Sequence, residues 1–407
     1  MIVTIHKSEL HGGVTICPSK SYEQRAWAIA SLPDSELKIS NCGESTDAIV
    51  SRKIAQKLMS FNPNDKVFDC GESALCARMF PPIIALRTDN FILDGHGTLQ
   101  KRKIRRDLEF YEHNFGWKIS NDEFPFIISN ANVHSGKFLI DGSHTSQIVS
   151  GLVLALSTLN DESFITVHNP SSAGYIFLTV GVADEAGAKI SASLNELLMD
   201  IKIHGKADYR NKNLHVEGDW SNAAFLIVAG LINGEIRISG LNSETLQPDW
   251  AINKVLYKCR ANFEWQNDTL VVRKSDIHGF EFDATNCPDL IPPLCTLAVN
   301  ADSECKIYGA NRLIGKESNR LEAIVTELGK LGADIKTDGN CIITQPLKNI
   351  TPALLDSHND HRIAMMLAIL GLSADGIKIT DCQCVNKSYP NFFDVLKQLG
   401  GKLEKKY

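Results

Sequence analysis

Two kinds of apolar pattern run along this chain and together predict an α/β protein. Nearly continuous apolar stretches cover Ile148 to Leu159 and Ile363 to Leu372. Both are shorter than the roughly 20 residues needed to cross a bilayer, so we interpret them as buried helices. Elsewhere, amphipathic helices alternate with short apolar segments that predict strands.

One order of elements recurs: an amphipathic helix, a turn of small residues, and an apolar strand. A glycine in such a turn adopts the left-handed backbone conformation that ends a helix. A single copy would carry no weight, but these copies are separated by 68 to 73 residues. With a weak copy near Met59-Ser60-Phe61, six units of about 70 residues fill the chain. The other copies centre on Gly116, Gly187, Gly332, Gly400 and, more weakly, Arg260.

Six units divide most simply into two domains of three units each. The segment Val216-Glu217-Gly218-Asp219 follows the third unit and is the candidate crossing point. We therefore expect one domain at residues 19–217 and a discontinuous one at residues 1–18 with 218–407. The pattern by itself leaves open whether helices or sheets face inward.

Composition is typical of a globular protein and excludes a general binder of polyanions. Apolar residues make up 43% of the chain, and 42 basic against 48 acidic residues give a net charge of -6. No global positive field exists for nucleic acid or a membrane surface, so anionic ligands must meet local cations. Eleven cysteines without a Cys-x-x-Cys pair predict reduced thiols. The N-terminal segment shows no export signal, and we expect a cytoplasmic protein.

Cations that stand beside serines, glycines and helix starts are the strongest candidates for chemistry. The first amides and the dipole of a helix favour negative charge. Pro18-Ser19-Lys20-Ser21 with Arg25 is one such place, and Gly71-Glu72-Ser73 with Arg78 is another. Each could equally be a capped surface helix with solvated charges.

Further polar residues precede later helices. Five cations lie between Lys101 and Arg106, without the aromatic residues of a single-stranded nucleic-acid site. Ser146 and Gln147 could bind an anion or cap the apolar helix that follows, and capping is the commoner role. Ser172 and Tyr175 repeat this pattern one strand later.

The C-terminal half holds a third group of charged motifs. We expect Lys316 and Arg320 on one helical face with Glu317 beside them, although a surface ion-pair ladder would look the same. Asp360 is expected to cap a helix and Arg362 to point at a ligand. The spacing of His358, Asp360 and His361 is a weak metal signature. Asp289 and Lys387 complete the set.

These motifs resemble, in order, those of the 5-enolpyruvylshikimate-3-phosphate synthase family. The match runs from residue 18 to residue 390, nearly the whole chain. The motifs that carry the resemblance are Pro-Ser-Lys-Ser with Arg25, Gly71-Glu72-Ser73 with Arg78, Ser146-Gln147, Pro288-Asp289, Lys316-Glu317 with Arg320, Asn359-Asp360-His361-Arg362, and Lys387.

The resemblance implies an inside-out α/β barrel of six βαβαββ units in two domains, with buried helices, exposed sheets and the active site in the cleft between the domains. It implies transfer of the enolpyruvyl group of phosphoenolpyruvate to the 5-hydroxyl of shikimate 3-phosphate, with release of phosphate, on the route to chorismate and aromatic amino acids. It also implies that no metal or organic cofactor is needed. We expect a monomer, and the charge balance predicts no nucleic-acid or membrane partner.

The resemblance also assigns residues to the two substrates. Asp289 resembles the base that takes the 5-hydroxyl proton, Glu317 resembles the acid that protonates the methylene carbon, and Lys387 and Lys20 complete the catalytic set. Several desolvated cations suit such multiply charged substrates. The implied shikimate 3-phosphate contacts are Lys20, Ser21, Arg25, Thr145, Ser146, Gln147, Ser172, Tyr175, Asp289 and Lys316. The implied phosphoenolpyruvate contacts are Lys20, Ala74, Arg102, Gln147, Arg320, Arg362 and Lys387.

The chain departs from the family pattern at several positions. Ala74 stands where most relatives have the glycine next to phosphoenolpyruvate, so we predict weakened inhibition by glyphosate, which occupies the same space. Thr145 replaces a usual serine, a mild change. The roles of three other departures, Lys103, Arg312 and Asn319, are left open.

Two alternatives stay open at the level of sequence. The sister enzyme UDP-N-acetylglucosamine enolpyruvyl transferase shares the fold and the donor, but its first motif carries Lys-Asn where this chain has Lys20-Ser21. A non-catalytic anion-binding protein would keep the cations but would need neither Asp289 nor Glu317.

Overall fold

The computed structural model describes residues 1–406. The chain forms two compact units: unit 1 comprises Met1–Ser19 and Glu217–Tyr407, and unit 2 comprises Lys20–Val216. Both units combine strands and helices, so the predicted α/β class is confirmed.

Unit 2 contains two four-stranded sheets and one two-stranded sheet. In each four-stranded sheet, the first two strands in the chain are parallel and the last two form an antiparallel hairpin. This arrangement follows from a helical crossover between the parallel strands. The strands, in spatial order, are β4 (Val67–Asp69), β5 (Phe91–Asp94), β7 (Phe126–Ser129) and β6 (Lys118–Ser120); β10 (Ile190–Asn195), β11 (Leu198–Ile203), β9 (Ser163–His168) and β8 (Lys137–Asp141); and β12 (Asn213–His215) with β3 (Lys38–Ser40).

The helices of unit 2 pack on the inner faces of these sheets. One of them, α7, contacts both α1 and α6, and α6 is buried along nearly all of its length. The helices are α1 (Lys20–Ala30), α2 (Thr46–Met59), α3 (Ala74–Met79), α4 (Pro81–Ile84), α5 (Ile104–Phe115), α6 (Gln147–Ser157) and α7 (Ala173–Glu185), with a short 3-10 helix at Gly97–Lys101.

Unit 1 contains three four-stranded sheets with the same pattern of one parallel pair and two antiparallel pairs. The N-terminal strands β1 and β2 each complete a sheet whose other strands follow residue 233. In spatial order the strands are β20 (Leu354–Asp356), β21 (Ile377–Thr380), β1 (Ile2–His6) and β22 (Lys402–Lys406); β14 (Asn262–Gln266), β15 (Thr269–Arg273), β13 (Gly234–Ser239) and β2 (Leu10–Thr15); and β16 (Glu281–Asp283), β17 (Cys305–Tyr308), β19 (Cys341–Thr344) and β18 (Ile335–Asp338).

Three helices form the centre of unit 1. Every residue of α8, α10 and α12 is buried, which explains why their sequences are apolar on all sides. The helices are α8 (Trp220–Asn233), α9 (Ile252–Lys258), α10 (Ile291–Val299), α11 (Arg320–Lys330), α12 (His361–Gly371) and α13 (Phe392–Gln398); 3-10 helices lie at Pro248–Ala251, Pro288–Leu290, Ala310–Leu313 and Cys382–Lys387.

In both units the sheets keep one face on the helices and expose the other. Strand β8, for example, alternates exposed and buried residues along its length, as a half-buried strand does. The prediction of buried helices and exposed sheets is therefore confirmed. Among residues 1–406, no helix combines the length and apolar character that a bilayer span requires.

The structure contains five of the six predicted helix-turn-strand units, and the prediction of the sixth, after α2, is wrong. The strands after α5, α7, α9, α11 and α13 begin where the sequence pattern places them, and Gly116, Gly187, Gly332 and Gly400 all have positive φ. After α2 no strand forms before β4, because residues 60–66 contain Pro63 between two asparagines and no apolar alternation. The sheet that contains β3 accordingly has only two strands.

Candidate functional site

The N-terminal turns of three helices lie side by side in unit 2. Arg25 on α1 donates from Nε to Thr179 Oγ1 on α7 at 2.7 Å, and Thr179 Oγ1 contacts Ser150 Oγ on α6 at 2.8 Å. All three residues lie in the first two turns of their helices. The starts of α1, α6 and α7 are therefore at the same end, where their dipoles favour an anion.

Arg25 places a buried positive charge at this end. Its side chain is 1% exposed and donates to the backbone carbonyls of Ser21 at 2.7 Å and Tyr175 at 3.0 Å. Burial lowers the pKa of Arg25 to about 10, so it stays charged at neutral pH. Within residues 1–406 its hydrogen-bond partners are neutral oxygens, and no carboxylate hydrogen bond compensates its charge.

Lys20 and Ala74 lie beside the start of α1. Lys20 is the first residue of α1, and its Nζ is 3.1 Å from Asp47 Oδ2 in the first turn of α2. Gln24 on α1 donates from Nε2 to Ser73 Oγ at 3.0 Å. Ser73 caps α3, whose first residue is the buried Ala74. Asp47 was not among the predicted site residues.

The first turn of α6 and the start of α7 hold other predicted residues. Thr145 Oγ1 accepts a hydrogen bond from the Gln147 amide at 3.1 Å, so Thr145 supplies the hydroxyl cap of α6. Ser146 is buried between them. Ser172 precedes α7 with a left-handed backbone, φ 54°, and its carbonyl accepts from the Tyr175 amide at 3.0 Å.

Arg78 binds Gln147 and lies near a second arginine, Arg102. Arg78 on α3 donates to Gln147 Oε1 at 2.9 Å and to Asp107 Oδ2 at 2.5 Å. Burial lowers the pKa of Arg78, Asp107 opposes this effect, and the neighbouring charge of Arg102 adds to it. Arg102 is therefore close enough to Arg78 for their charges to interact. Asp107 was missed because it stands on a helix face in a run of charged residues.

Glu72 holds the segment that leads to Arg102. Its Oε2 accepts from the Thr98 amide at 3.0 Å and from Thr98 Oγ1 at 2.6 Å. Thr98 lies in the 3-10 helix that ends directly before Arg102. Glu72 belongs to a helix-start motif in the sequence. Its hydrogen bond to Thr98 could not be predicted, because the two residues are 26 positions apart and no local pattern indicates the contact.

Unit 1 repeats this convergence of helix starts. Arg362, the second residue of α12, donates from Nη2 to Ser221 Oγ in the first turn of α8 at 2.9 Å. The same nitrogen is 2.9 Å from Asp289 Oδ2, and Asp289 lies two residues before α10. The starts of α8, α10 and α12 are therefore adjacent.

Asp289 lies between two guanidinium groups. Its Oδ1 is 3.1 Å from Arg320 Nη1, and its Oδ2 is 2.9 Å from Arg362 Nη2. Burial by itself would raise the pKa of Asp289, but Arg362, Lys316 and Arg320 together hold it well below its usual range. The carboxyl group is therefore ionised at neutral pH.

Arg320 connects three carboxylates and is itself 1% exposed. Besides Asp289, it donates from Nη2 to Glu317 Oε2 at 2.6 Å and from Nε to Asp360 Oδ2 at 2.9 Å. Burial acts to lower the pKa of Arg320, but Asp360, Glu317 and Asp289 raise it. Asp360 also accepts from the Arg362 amide at 2.9 Å and caps α12, as predicted.

The predicted arrangement of Lys316 and Arg320 on one helical face is wrong. Helix α11 begins at Arg320, and Lys316 lies in an irregular segment after Gly315, which has φ 77°. Because this segment is not helical, Glu317 folds back against Arg320. Lys316 is half-buried, and removal from water lowers its pKa to about 8 despite the opposing charge of Asp289. Lys387, at the end of a 3-10 helix, has its Nζ 3.9 Å from Glu317 Oε1.

A cavity of about 570 Å³ lies at the opposite ends of the central helices of unit 1. Its lining includes Asn233, the last residue of α8, and Asn300 and Leu372, which directly follow α10 and α12. The carbonyl ends of helices carry partial negative charge, so this end is the less favourable one for an anion. None of the predicted site residues line this cavity.

The structure thus brings the predicted residues together in two groups, one in each unit. The unit 2 group is Lys20, Ser21, Arg25, Ala74, Arg102, Thr145, Ser146, Gln147, Ser172 and Tyr175. The unit 1 group is Asp289, Lys316, Glu317, Arg320, Arg362 and Lys387. No cluster of three His, Cys, Asp or Glu side chains suited to a metal ion occurs among residues 1–406.

Comparisons with known proteins agree on the family. The profile of the family EPSP synthase (3-phosphoshikimate 1-carboxyvinyltransferase) matches residues 5–396. A 3-phosphoshikimate 1-carboxyvinyltransferase of Clostridium perfringens is 34% identical over 422 aligned positions, which cover 99% of this chain and 99% of that protein.

Solved structures agree on the fold. An EPSP synthase of Acinetobacter baumannii superposes with a TM-score of 0.82 at 19% identity, covering 99% of this chain and 100% of that one. The enolpyruvyl transferase NikO of Streptomyces tendae superposes with a TM-score of 0.77 at 16% identity, covering 99% and 98%. The chain belongs to the EPSP synthase (3-phosphoshikimate 1-carboxyvinyltransferase) family.

Proposed function

We propose that this chain transfers the enolpyruvyl group of phosphoenolpyruvate to the 5-hydroxyl of shikimate 3-phosphate and releases phosphate. One observation carries the assignment of roles: Asp289 and Glu317 are both hydrogen-bonded to the single guanidinium of Arg320. Two carboxyl groups are thus held next to the same cation: an ionised one that can accept a proton, and a second one that donates after it has taken up a proton from solvent.

Asp289 is the base of the proposed reaction. The surrounding cations keep its carboxyl group ionised, so it can accept the 5-hydroxyl proton. A carboxylate of such low pKa is a weak base, and the transfer must therefore accompany formation of the C–O bond to carbon 2 of phosphoenolpyruvate. As that bond forms, the hydroxyl becomes acidic enough to lose its proton to Asp289.

Glu317 is the acid of the proposed reaction. It donates a proton to the methylene carbon of phosphoenolpyruvate while the C–O bond forms, which yields a tetrahedral intermediate. Glu317, now a carboxylate, takes a proton from the new methyl group while the bond from carbon 2 to the phosphate oxygen breaks. The phosphate leaves with the proton that Asp289 accepted, which gives the enolpyruvyl product and restores both side chains. Lys387, 3.9 Å from Glu317 Oε1, stabilises the negative charge that develops on the leaving phosphate.

The remaining cations bind the anionic groups of the substrates. Unit 2 contributes four cations, Lys20, Arg25, Arg78 and Arg102: Lys20 pairs with Asp47, Arg78 pairs with Asp107, and the hydrogen-bond partners of Arg25 are neutral oxygens. Desolvated guanidinium groups bind phosphate and carboxylate oxygens strongly. The division of the predicted residues between the two substrates, and the placement of a shared site between the two units, stay predictions.

A phosphate-release assay tests the proposed function. We expect release only when phosphoenolpyruvate and shikimate 3-phosphate are both present, and none when UDP-N-acetylglucosamine replaces the shikimate compound. D289A is expected to lose turnover while equilibrium binding of shikimate 3-phosphate stays measurable. Release with the amino-sugar acceptor, or undiminished turnover of D289A, would contradict the proposal.

Two further expectations belong to this proposal. Turnover should persist in excess EDTA, because the proposed steps use only protein side chains. Sedimentation of the active enzyme should correspond to a monomer of 44.9 kDa. Loss of turnover in EDTA, or sedimentation as a larger species, would refute the corresponding expectation.

A further inference from the structure

The turn that leads into α12 has an unusual backbone. His358 and Asn359 have φ values of 53° and 52°, so two successive residues other than glycine adopt the left-handed conformation. Such a conformation persists only where surrounding contacts hold it. The turn ends at Asp360, which binds Arg320 and caps the helix that carries Arg362. We call residues 356–360 the α12 turn.

Glu327 supplies contacts that hold the α12 turn. This residue on α11 is fully buried, and its Oε2 accepts from the Asp356 amide at 3.0 Å. Its Oε1 is 2.9 Å from His358 Nε2. An ionised carboxylate only accepts hydrogen bonds, so Nε2 of His358 carries the hydrogen in this pair. Lys330 Nζ donates to both oxygens, at 2.8 and 2.9 Å, and balances the charge.

Helix α11 is therefore attached to the α12 turn at two points. Arg320 binds Asp360 at the end of the turn, and Glu327 binds Asp356 and His358 at its beginning. Seven residues, or two helical turns, separate Arg320 from Glu327, which puts them on the same face of α11. Asp356 is also the last residue of β20, which pairs with β21, so the Glu327 contacts lie at the point where the backbone leaves the sheet. Without them the backbone between β20 and Asp360 would be less constrained, and Arg362 would be less firmly placed.

We infer that Glu327 and His358 are positioning residues for the two arginines, Arg320 and Arg362, that are predicted to hold phosphoenolpyruvate. Among residues 1–406, the hydrogen bonds and ion pairs of Glu327 and His358 do not include Arg320 or Arg362, and both residues act through the backbone of the α12 turn. The inference rests on the proposed function for its substrate. Its structural part, that Glu327 fixes the turn, can be measured without turnover.

The variant E327Q tests the inference. A glutamine has one accepting oxygen. That oxygen can accept either from the Asp356 amide or from His358 and Lys330, but not from all of them as the carboxylate does. We expect the KM for phosphoenolpyruvate to rise about tenfold or more, since a displacement of about 1 Å can cost a hundredfold in rate. The KM for shikimate 3-phosphate should change much less, because most of its predicted contacts lie in unit 2.

Hydrogen exchange measures the turn itself. In E327Q the backbone amides of Asp356 and Asp360 should exchange faster than in the wild type, whether or not the enzyme turns over. E322Q is the matched control: it makes the same chemical change at an exposed position of α11, where Glu322 accepts a hydrogen bond from Asn319. E322Q should leave both KM values and the exchange of these amides unchanged.

Variants at His358 separate the side-chain hydrogen bond from the backbone strain. H358A and H358Q carry the same left-handed strain, but only glutamine offers a donor that can reach Glu327. We expect H358A to raise the KM for phosphoenolpyruvate and H358Q to restore it toward the wild-type value.

Several results would overturn the inference. Unchanged amide exchange in E327Q would show that the turn does not depend on Glu327. A loss of kcat alone, or equal rises in both KM values, would indicate general damage to the fold. A wild-type enzyme without turnover would refute the proposed function, while the exchange data would still decide the role of Glu327.

Discussion

Arg320 Nη1 lies 3.1 Å from Asp289 Oδ1, although the two residues are 31 positions apart in the chain. The same guanidinium binds Glu317 and Asp360, so one buried cation fixes the geometry of three carboxylates. Removing a partner from such a buried network leaves charges uncompensated, which is more damaging than the loss of one exposed ion pair.

R320K should therefore lose most of its activity. A lysine keeps the charge but lacks the planar fork that holds three partners at once. We expect kcat/KM for phosphoenolpyruvate to fall by about 100-fold or more, measured by phosphate release. R237K, on the exposed face of β13 where Arg237 pairs with Glu235, is the matched control and should be unchanged. Activity of R320K within a few-fold of the wild type would contradict the role of the network.

Substitution of Gly97 should disturb Arg102 through Glu72. Gly97 has φ 60°, and a Cβ there would lie 2.5 Å from Glu72 Oε1. G97A should displace Glu72 from Thr98 and raise the KM for phosphoenolpyruvate about tenfold, because the segment before Arg102 shifts. Steady-state kinetics at saturating shikimate 3-phosphate measures this effect.

G339A controls for backbone strain in that experiment. Gly339 has φ 58°, but a Cβ there would meet no atom within 4 Å. The G339A variant should therefore be somewhat less stable than the wild type, with unchanged KM values for phosphoenolpyruvate and for shikimate 3-phosphate. Equal kinetic effects of G97A and G339A would mean that strain, and not the contact with Glu72, is responsible.

Binding of shikimate 3-phosphate should weaken above about pH 8. The pKa of Lys316 is lowered to about 8 by burial, so below that pH the side chain is cationic and above it the charge is lost. An anionic ligand favours the charged form, and its affinity must therefore fall as the pH rises through this pKa. Equilibrium binding between about pH 6.5 and 9.5 measures the effect.

K316R should remove this pH dependence, because a guanidinium stays charged throughout that range. Its absolute affinity will differ from that of the wild type, so the informative quantity is the slope with pH. A wild-type affinity that is constant across pH 8, or a K316R slope equal to that of the wild type, would refute the assignment to Lys316.

Replacing Ala74 by glycine should increase inhibition by glyphosate. Ala74 is the buried first residue of α3, and the family resemblance implies that its methyl group crowds the space that glyphosate occupies. Removal of one methyl group from a tight pocket changes binding by about 10- to 200-fold. We therefore expect the inhibition constant of glyphosate, measured in competition with phosphoenolpyruvate, to be about 10- to 200-fold lower for A74G than for the wild type.

A77G is the control for the effect of glycine on α3. Ala77 is buried in the same helix, so A77G lowers stability without opening the space beside Ala74. Equal sensitivity of wild type and A74G, or a gain in sensitivity of A77G as large as that of A74G, would show that the methyl group of Ala74 does not matter.

Much of the fold could be predicted because its signals are local. The apolar stretches beginning at Ile148 and Ile363 form α6 and α12, and the small-residue turns end helices at the expected spacing. The weak copy near Met59-Ser60-Phe61 was wrong because Pro63 and its neighbouring asparagines favour a turn over a strand.

The partners of the site residues could not be predicted. Asp47, Asp107 and Glu72 fix Lys20, Arg78 and the segment before Arg102 from other elements. Asp47 and Asp107 stand in ordinary charged or polar stretches, and nothing near them in sequence distinguishes them from solvated surface residues. Glu72 stands in a recognised motif, but its partner Thr98 lies 26 residues away.

The sequence by itself determined the long apolar helices, the turns that end most helices, and the short motifs that carry cations, because backbone conformation and capping depend on residues within a few positions of one another. Only the tertiary structure decided that Arg320 binds Asp289 and Asp360 and does not share a helical face with Lys316. Ion pairing depends on distance in space, and the packing of α10, α11 and α12 sets that distance independently of separation along the chain.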